Sequence, residues 1–201
     1  MVAADALTAE DARSMLLSAA EKRDQEPDSI IEAIRFLERE RSKESGEADG
    51  ETTKFNQLTT NGNWRLVFTT GDLKTQKKLG GNKISYVPIK AVQVFNADYT
   101  ITNGVYLGSF PLLKFFGTFT WDEGRSRLEF TFNEVEPMTW SPLVTPHAVS
   151  CQVAVLGLKF PFNQGESKVQ PGFTFIYLCD EYVIARGAGG GLALWLRQDS
   201  E

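Results

Sequence analysis

From Trp64 onward, apolar and polar positions alternate with a period of two, the pattern of strands that bury one face. Trp64, Leu66 and Phe68 alternate with Arg65, Val67 and Thr69, and Leu128, Phe130 and Phe132 with Arg127, Glu129 and Thr131. Val149, Cys151, Val153 and Val155 repeat the pattern against Ser150, Gln152 and Ala154. Phe173, Phe175 and Tyr177 face one way against Thr174 and Ile176, and Leu192, Leu194 and Leu196 close the series. Further strands are expected near 89–95, 98–106, 115–121 and 181–186. Gly80-Gly81-Asn82, Asn96-Ala97-Asp98, Asp122-Glu123-Gly124, Pro161–Gly165 and Gly187–Gly191 supply the turns between them. No helix-length pattern bridges two strands, which argues against parallel βαβ winding. The pattern predicts a mainly β fold, an antiparallel up-and-down barrel with a short N-terminal helical segment; a sandwich is the competing arrangement.

The first 51 residues follow another rule. Thr8-Ala9-Glu10-Asp11 has the form of a capping box, and Leu7, Met15, Leu16 and Ala19 recur at helical spacing. A second helix is expected from Asp28, just after Pro27, with Ile30, Ile31, Ile34 and Leu37 as a narrow apolar stripe. Ser45–Glu51 has a linker composition, which divides the chain into a helical segment over 1–51 and a barrel domain over 52–201. Two such helices cannot bury enough surface alone. Their stripes either dock on the body as a cap or form a detachable arm for a protein partner.

Charge sharpens this division. The chain has 201 residues and a net charge of −5. Residues 1–51 carry 7 basic and 14 acidic side chains, a net of −7, whereas 52–201 carry 14 and 12, a net of +2. Only Phe36 among the aromatics lies in the first block. The acidic balance argues against a nucleic-acid partner. No apolar run is long enough to span a bilayer. The opening residues have neither a secretory signal nor an Arg- and Ser-rich transit peptide, so any targeting segment is expected to be absent from this chain.

Candidate chemistry is sparse. His147 is the only histidine, and with Cys151 four residues later it lacks the paired spacing of a metal site. Asp180 and Glu181 are adjacent and would point to opposite faces of a strand. Neither a catalytic set nor a required cofactor is therefore expected, although a small isomerase or cyclase remains a rival reading. Large aromatics dominate one face of most strands, and Trp64, Phe68, Phe130, Phe132, Phe173 and Phe175 are the main inward candidates. They fit a solid core and an aromatic-lined pocket equally well. Trp64 is expected to plug the barrel under a stacked Arg186 or Arg197. Arg186 shares a face with Tyr182 and Ile184 and, if inward, needs Asp180, Glu181 or a ligand as partner. Lys74, Lys77, Lys78 and Lys83 surround a Gly-Gly turn and form either a solvated loop or a membrane-facing basic rim. Phe110–Leu113 and Phe115-Phe116 form the most apolar stretch, either an inserting loop or a buried crossing. Cys151 and Cys179 read as buried free thiols, or as a disulfide if their strands are neighbours.

Asn61-Gly62-Asn63-Trp64-Arg65-Leu66-Val67-Phe68-Thr69-Thr70 resembles the opening strand of the plastid lipid-associated protein (fibrillin) family, and Gly-x-Trp is also similar to the first-strand signature of lipocalins. Tyr177–Gly187, then a Gly-rich turn and Leu192-Ala193-Leu194-Trp195-Leu196, is similar to the family's C-terminal hairpin. Cys179 and Tyr182-Val183 depart from the family's usual Asp and Leu-Arg. The resemblance covers roughly 55–198 and implies a lipocalin-like barrel that binds, stores or transports a prenylquinone, carotenoid or acyl lipid. It also implies a plastid location: thylakoid, stroma or lipid droplet (plastoglobule). The lipid-binding candidates are Trp64, Leu66, Phe68, Tyr99, Phe119, Phe130, Phe132, Phe173, Phe175 and Arg186. The rival is a scaffold or assembly factor with a solid barrel that binds photosynthetic or lipid-biosynthetic partners through its surface and N-terminal helices.

Overall fold

Thr8 and Asp11 cap the first helix reciprocally: the Thr8 hydroxyl accepts from the Asp11 amide, and the Asp11 carboxylate accepts from the Thr8 amide. In the computed structural model, which describes residues 7–44, 51–71, 85–137 and 170–199, this helix is α1, Ala9–Lys22. It ends at Arg23 in the left-handed region, φ 57°. Pro27 opens α2, Pro27–Glu44, at the position where a missing amide costs nothing. A third helix, α3, spans Glu51–Thr59. It falls where a linker and the start of the barrel are expected, so the helical part of the chain is longer than the pattern predicts.

Among the described residues eight strands follow: β1 Asn63–Thr69, β2 Ser85–Phe95, β3 Thr100–Leu107, β4 Phe110–Asp122, β5 Arg127–Pro137, β6 Gly172–Leu178, β7 Tyr182–Gly187 and β8 Leu192–Arg197. Each pairs antiparallel with the next and β8 pairs with β1, which makes a closed barrel. Closure leaves neither β1 nor β8 as a free edge. The turns expected at Asn96–Asp98, Asp122–Gly124 and Gly187–Gly191 join β2 to β3, β4 to β5 and β7 to β8. The strand expected at Val149–Val155, the turns at Gly80–Asn82 and Pro161–Gly165, and His147 and Cys151 lie outside the described residues. Cys179 is a half-buried free thiol.

Two bulges re-aim side chains that strict alternation places inside. The β1 register shifts between Leu66 and Phe68, so Leu66 stays inside while Phe68 joins the outer core. A shift in β6 between Phe175 and Tyr177 turns Tyr177 outward onto Tyr182, ring centroids 5.5 Å apart. In β8 it is Ala193 and Trp195 that face the interior, and Leu192, Leu194 and Leu196 face out. Residues Tyr182–Ala185 and Leu192–Trp195 are all buried, because both faces of β7 and β8 are covered.

The outer cover is the α1–α2 pair. Ala12, Leu16, Ala19 and Ala20 of α1 and Ile30, Ile34 and Leu37 of α2 form one core with Phe68, Ile176, Tyr182, Ile184, Leu192 and Leu194. The alanines let the helix approach closely, and the larger side chains fill the outer wall. Polar contacts lock the layer in register. The Tyr182 hydroxyl donates to the Arg13 carbonyl (3.3 Å), and Tyr86 exchanges hydrogen bonds with the backbone of Gln25. Arg41 donates to the Phe175 carbonyl, where β6 bulges.

Burial under this layer raises the phenol pKa values of Tyr86, Tyr177 and Tyr182 above the ordinary value. A raised folded-state pKa contributes stability that is intact below the ordinary tyrosine range near ~10 and is lost as pH rises through it. The urea midpoint is therefore expected to hold up to about pH 9 and fall above about pH 10. Tyr182→Phe should flatten that fall, and an identical fall in this variant would contradict the assignment.

Candidate functional site

Only the inside of a closed ring brings rings from non-adjacent strands together. Phe95 of β2 meets Phe119 of β4 at 5.9 Å and Phe175 of β6 at 6.4 Å, both edge-on. Trp121 meets Phe175 at 5.8 Å, and Phe173 of β6 meets Trp195 of β8 at 5.2 Å. With Trp64, Leu128 and Val183, the rings of Phe95, Phe119, Trp121, Phe175 and Trp195 fill the interior at the end where α3 lies. Phe55 of α3 covers that end against Tyr99, Phe119 and Trp121, with centroids 5.2–6.5 Å apart.

Gly62 and Trp64 build the floor. The carbonyl of Gly62 accepts from the Phe95 amide, and a Cβ at Gly62 would sit 2.2 Å from the Phe95 oxygen, so only glycine allows this approach. Trp64 is fully buried and its indole N–H donates to the Leu58 carbonyl at 2.8 Å. The Arg197 guanidinium stacks 4.2 Å over its ring and donates to the carbonyls of Gln57, Thr60 and Asp180. Of the two arginines expected over Trp64, Arg197 is the one that stacks. Arg186 lies on the outer face, paired with Glu38 of α2 at 2.6 and 2.8 Å, and so neither faces inward nor pairs with Asp180 or Glu181.

One inward step along each strand, away from α3, changes the character of the lining. Trp64 gives way to Leu66, Phe95 to Gln93, Ile101 to Asn103, Phe119 to Gly117 and Trp195 to Ala193. Gly117 contributes no side chain, and a Cβ there would lie 1.9 Å from the Thr131 carbonyl oxygen at the β4–β5 bulge. Against this smaller, partly polar side stands an aromatic wall: Phe130 touches Phe132 at 5.1 Å and Phe173 at 5.4 Å, and Phe132 touches Phe115 at 5.6 Å. The inner face thus passes from large aromatic side chains near α3 to smaller and partly polar ones further along β1–β4 and β8.

The sequence candidates thus separate. Trp64, Phe119 and Phe175 lie in the floor, and Leu66, Phe130, Phe132 and Phe173 in the wall. Phe68 and Arg186 lie outside under the helices, and Tyr99 sits at the α3 end, 48% exposed. Lys74, Lys77, Lys78 and Lys83 lie outside the described residues. The apolar stretch from Phe110 is neither a loop nor a buried crossing but the first half of β4. Its hairpin with β3 leaves Leu107 and Phe110 61% and 68% exposed. Pattern reading missed Gln93 and Asn103, which face each other across the β2–β3 ladder and are buried. The signal was present: both are polar at inward positions of otherwise apolar alternation.

Among the described residues no three His, Cys, Asp or Glu side chains are grouped to hold a metal. Compared with known protein families and with curated proteins, the sequence matches none.

Proposed function

We propose that this protein binds a lipophilic molecule in a chamber above the Trp64 floor and carries or stores it at plastid membranes. The observation that carries the reading is the change from large to small inward side chains within one closed barrel, at Phe95–Gln93, Phe119–Gly117 and Trp195–Ala193. The likeness of Gly62-x-Trp64 and of the β7–β8 hairpin to plastid lipid-associated proteins supports the same class of ligand and the same compartment. Binding is desolvation: the apolar wall removes hydrophobic surface from water, and no bond is made or broken. The apolar hairpin tip at Leu107 and Phe110 suits exchange with a lipid surface.

Organic extraction of protein purified from its source should release a lipophilic molecule near 1:1 stoichiometry. The emptied protein should bind a polarity-sensitive fluorescent fatty acid, and Ala193→Phe should weaken that binding at least about tenfold by filling the chamber. A solid scaffold would yield neither an extracted molecule nor probe binding, and probe binding indifferent to Ala193→Phe would place the probe elsewhere.

A further inference from the structure

Four buried polar atoms have no hydrogen-bond partner among the described residues: Nε of Arg65, Nε1 of Trp121, Oε1 of Gln93 and the indole Nε1 of Trp195, and the last two flank the same stretch of β1. Gln93 and Trp195 are 5% and 3% exposed. They stand on either side of β1, Gln93 paired with Trp64 and Trp195 with Leu66, both on the inner face. An orphaned buried donor or acceptor costs the desolvation that a hydrogen bond would recover, so native cores rarely keep one. Here an acceptor on β2 and a donor on β8 flank the same stretch of β1 on the inner face. Trp64, whose indole has the same chemistry, is by contrast fully satisfied by Leu58.

We infer that the chamber selects lipophilic molecules whose polar end carries a hydroxyl, with the O–H donating to Gln93 Oε1 and its oxygen accepting from Trp195 Nε1. This rests on the chamber reading above and deepens it. The complementarity has a direction. Ethers, esters and ketones offer only acceptors; they can satisfy Trp195 but leave Gln93 orphaned. An alcohol or phenol satisfies both. Asn103, opposite Gln93, adds a second amide on the same wall. The ligand class is therefore a long-chain or prenyl alcohol, or a phenol, entering polar end first.

The isomers 1-undecanol and decyl methyl ether, with undecane as the apolar reference, test this by displacement of a polarity-sensitive fluorophore. Comparing variants cancels the different solvation of the three probes in water. Gln93→Leu should reduce the alcohol-to-ether affinity ratio about tenfold, mainly through the alcohol. Trp195→Phe should weaken both oxygenated probes relative to undecane and leave their ratio unchanged. Gln93→Leu should also raise the urea midpoint of the empty protein, since it removes an unsatisfied buried group. A structural glutamine would show the reverse. An unchanged ratio in Gln93→Leu, or a lowered midpoint, overturns the hydroxyl inference and leaves the chamber standing. Failure of all three probes to displace the fluorophore removes the chamber reading and this one with it.

Discussion

Trp64→Ala is expected to destabilise the protein by about 4 kcal/mol, a large share of the roughly 5–15 kcal/mol that holds a typical domain folded. Three losses combine. The ring is fully buried in the floor, so its removal leaves a cavity that neighbours on β2 and β8 cannot close without shifting strands. The indole N–H no longer satisfies the Leu58 carbonyl, which frees the end of α3. Arg197 loses the surface on which it stacks while still holding Gln57, Thr60 and Asp180. Trp64→Phe keeps most of the volume and should cost only about 1–2 kcal/mol through the hydrogen bond and the weaker cation–π contact. Urea unfolding of the three proteins measures this directly. A cost below about 1 kcal/mol for Trp64→Ala would mean that the floor is not held by this residue.

The second large effect concerns the outer layer. A chain begun at Glu51 is expected to be insoluble or aggregated, because Phe68, Ile176, Tyr182, Ile184, Leu192 and Leu194 lose their cover. Leaving each such side chain exposed costs about 1.5–3 kcal/mol. Together these exceed the typical stability of a domain, about 5–15 kcal/mol, or approach it. Proteolytic nicking between residues 45 and 50 should have a different result: both pieces co-elute and unfold together. Size-exclusion chromatography of the truncated and nicked proteins checks both statements. A monomeric, cooperatively folded 51–201 fragment would show that the helices are an arm rather than part of the wall.

The fold class was legible because two strong local signals agreed. Alternation from Trp64 to Leu196 and turn residues at Asn96–Asp98, Asp122–Gly124 and Gly187–Gly191 jointly specify a meander, and β1–β8 pairing completes it. The capping box at Thr8 and the proline at 27 marked two helix starts for the same reason: each is a short-range device. What was not legible depends on tertiary context. A bulge adds one residue to a strand without changing its composition, so nothing in Leu66-Val67-Phe68 announces that Phe68 faces outward. The pairing of Arg186 with Glu38 spans 148 residues, beyond any spacing argument. The helix at Glu51–Thr59 was hidden by its length, with Phe55 and Leu58 as its only apolar pair. On the inner face, Gln93 and Asn103 were visible as breaks in an apolar alternation, but their meaning required knowing which face was inside.

The placement of the first two helices also sets a timetable for the nascent chain. Their partners Ile176, Tyr182, Ile184, Leu192 and Leu194 are made more than 130 residues after Ile34 and Leu37. Ribosomal synthesis at about 5–20 residues per second leaves the apolar stripes unsatisfied for roughly 7–30 s, while the earlier strands wait for β8 to close on β1. Contacts this distant in sequence favour folding in the millisecond-to-second range or slower, and only once β8 has been made. Yield on expression should accordingly respond more strongly to chaperones that shield early hydrophobic segments than to any change in the mature surface.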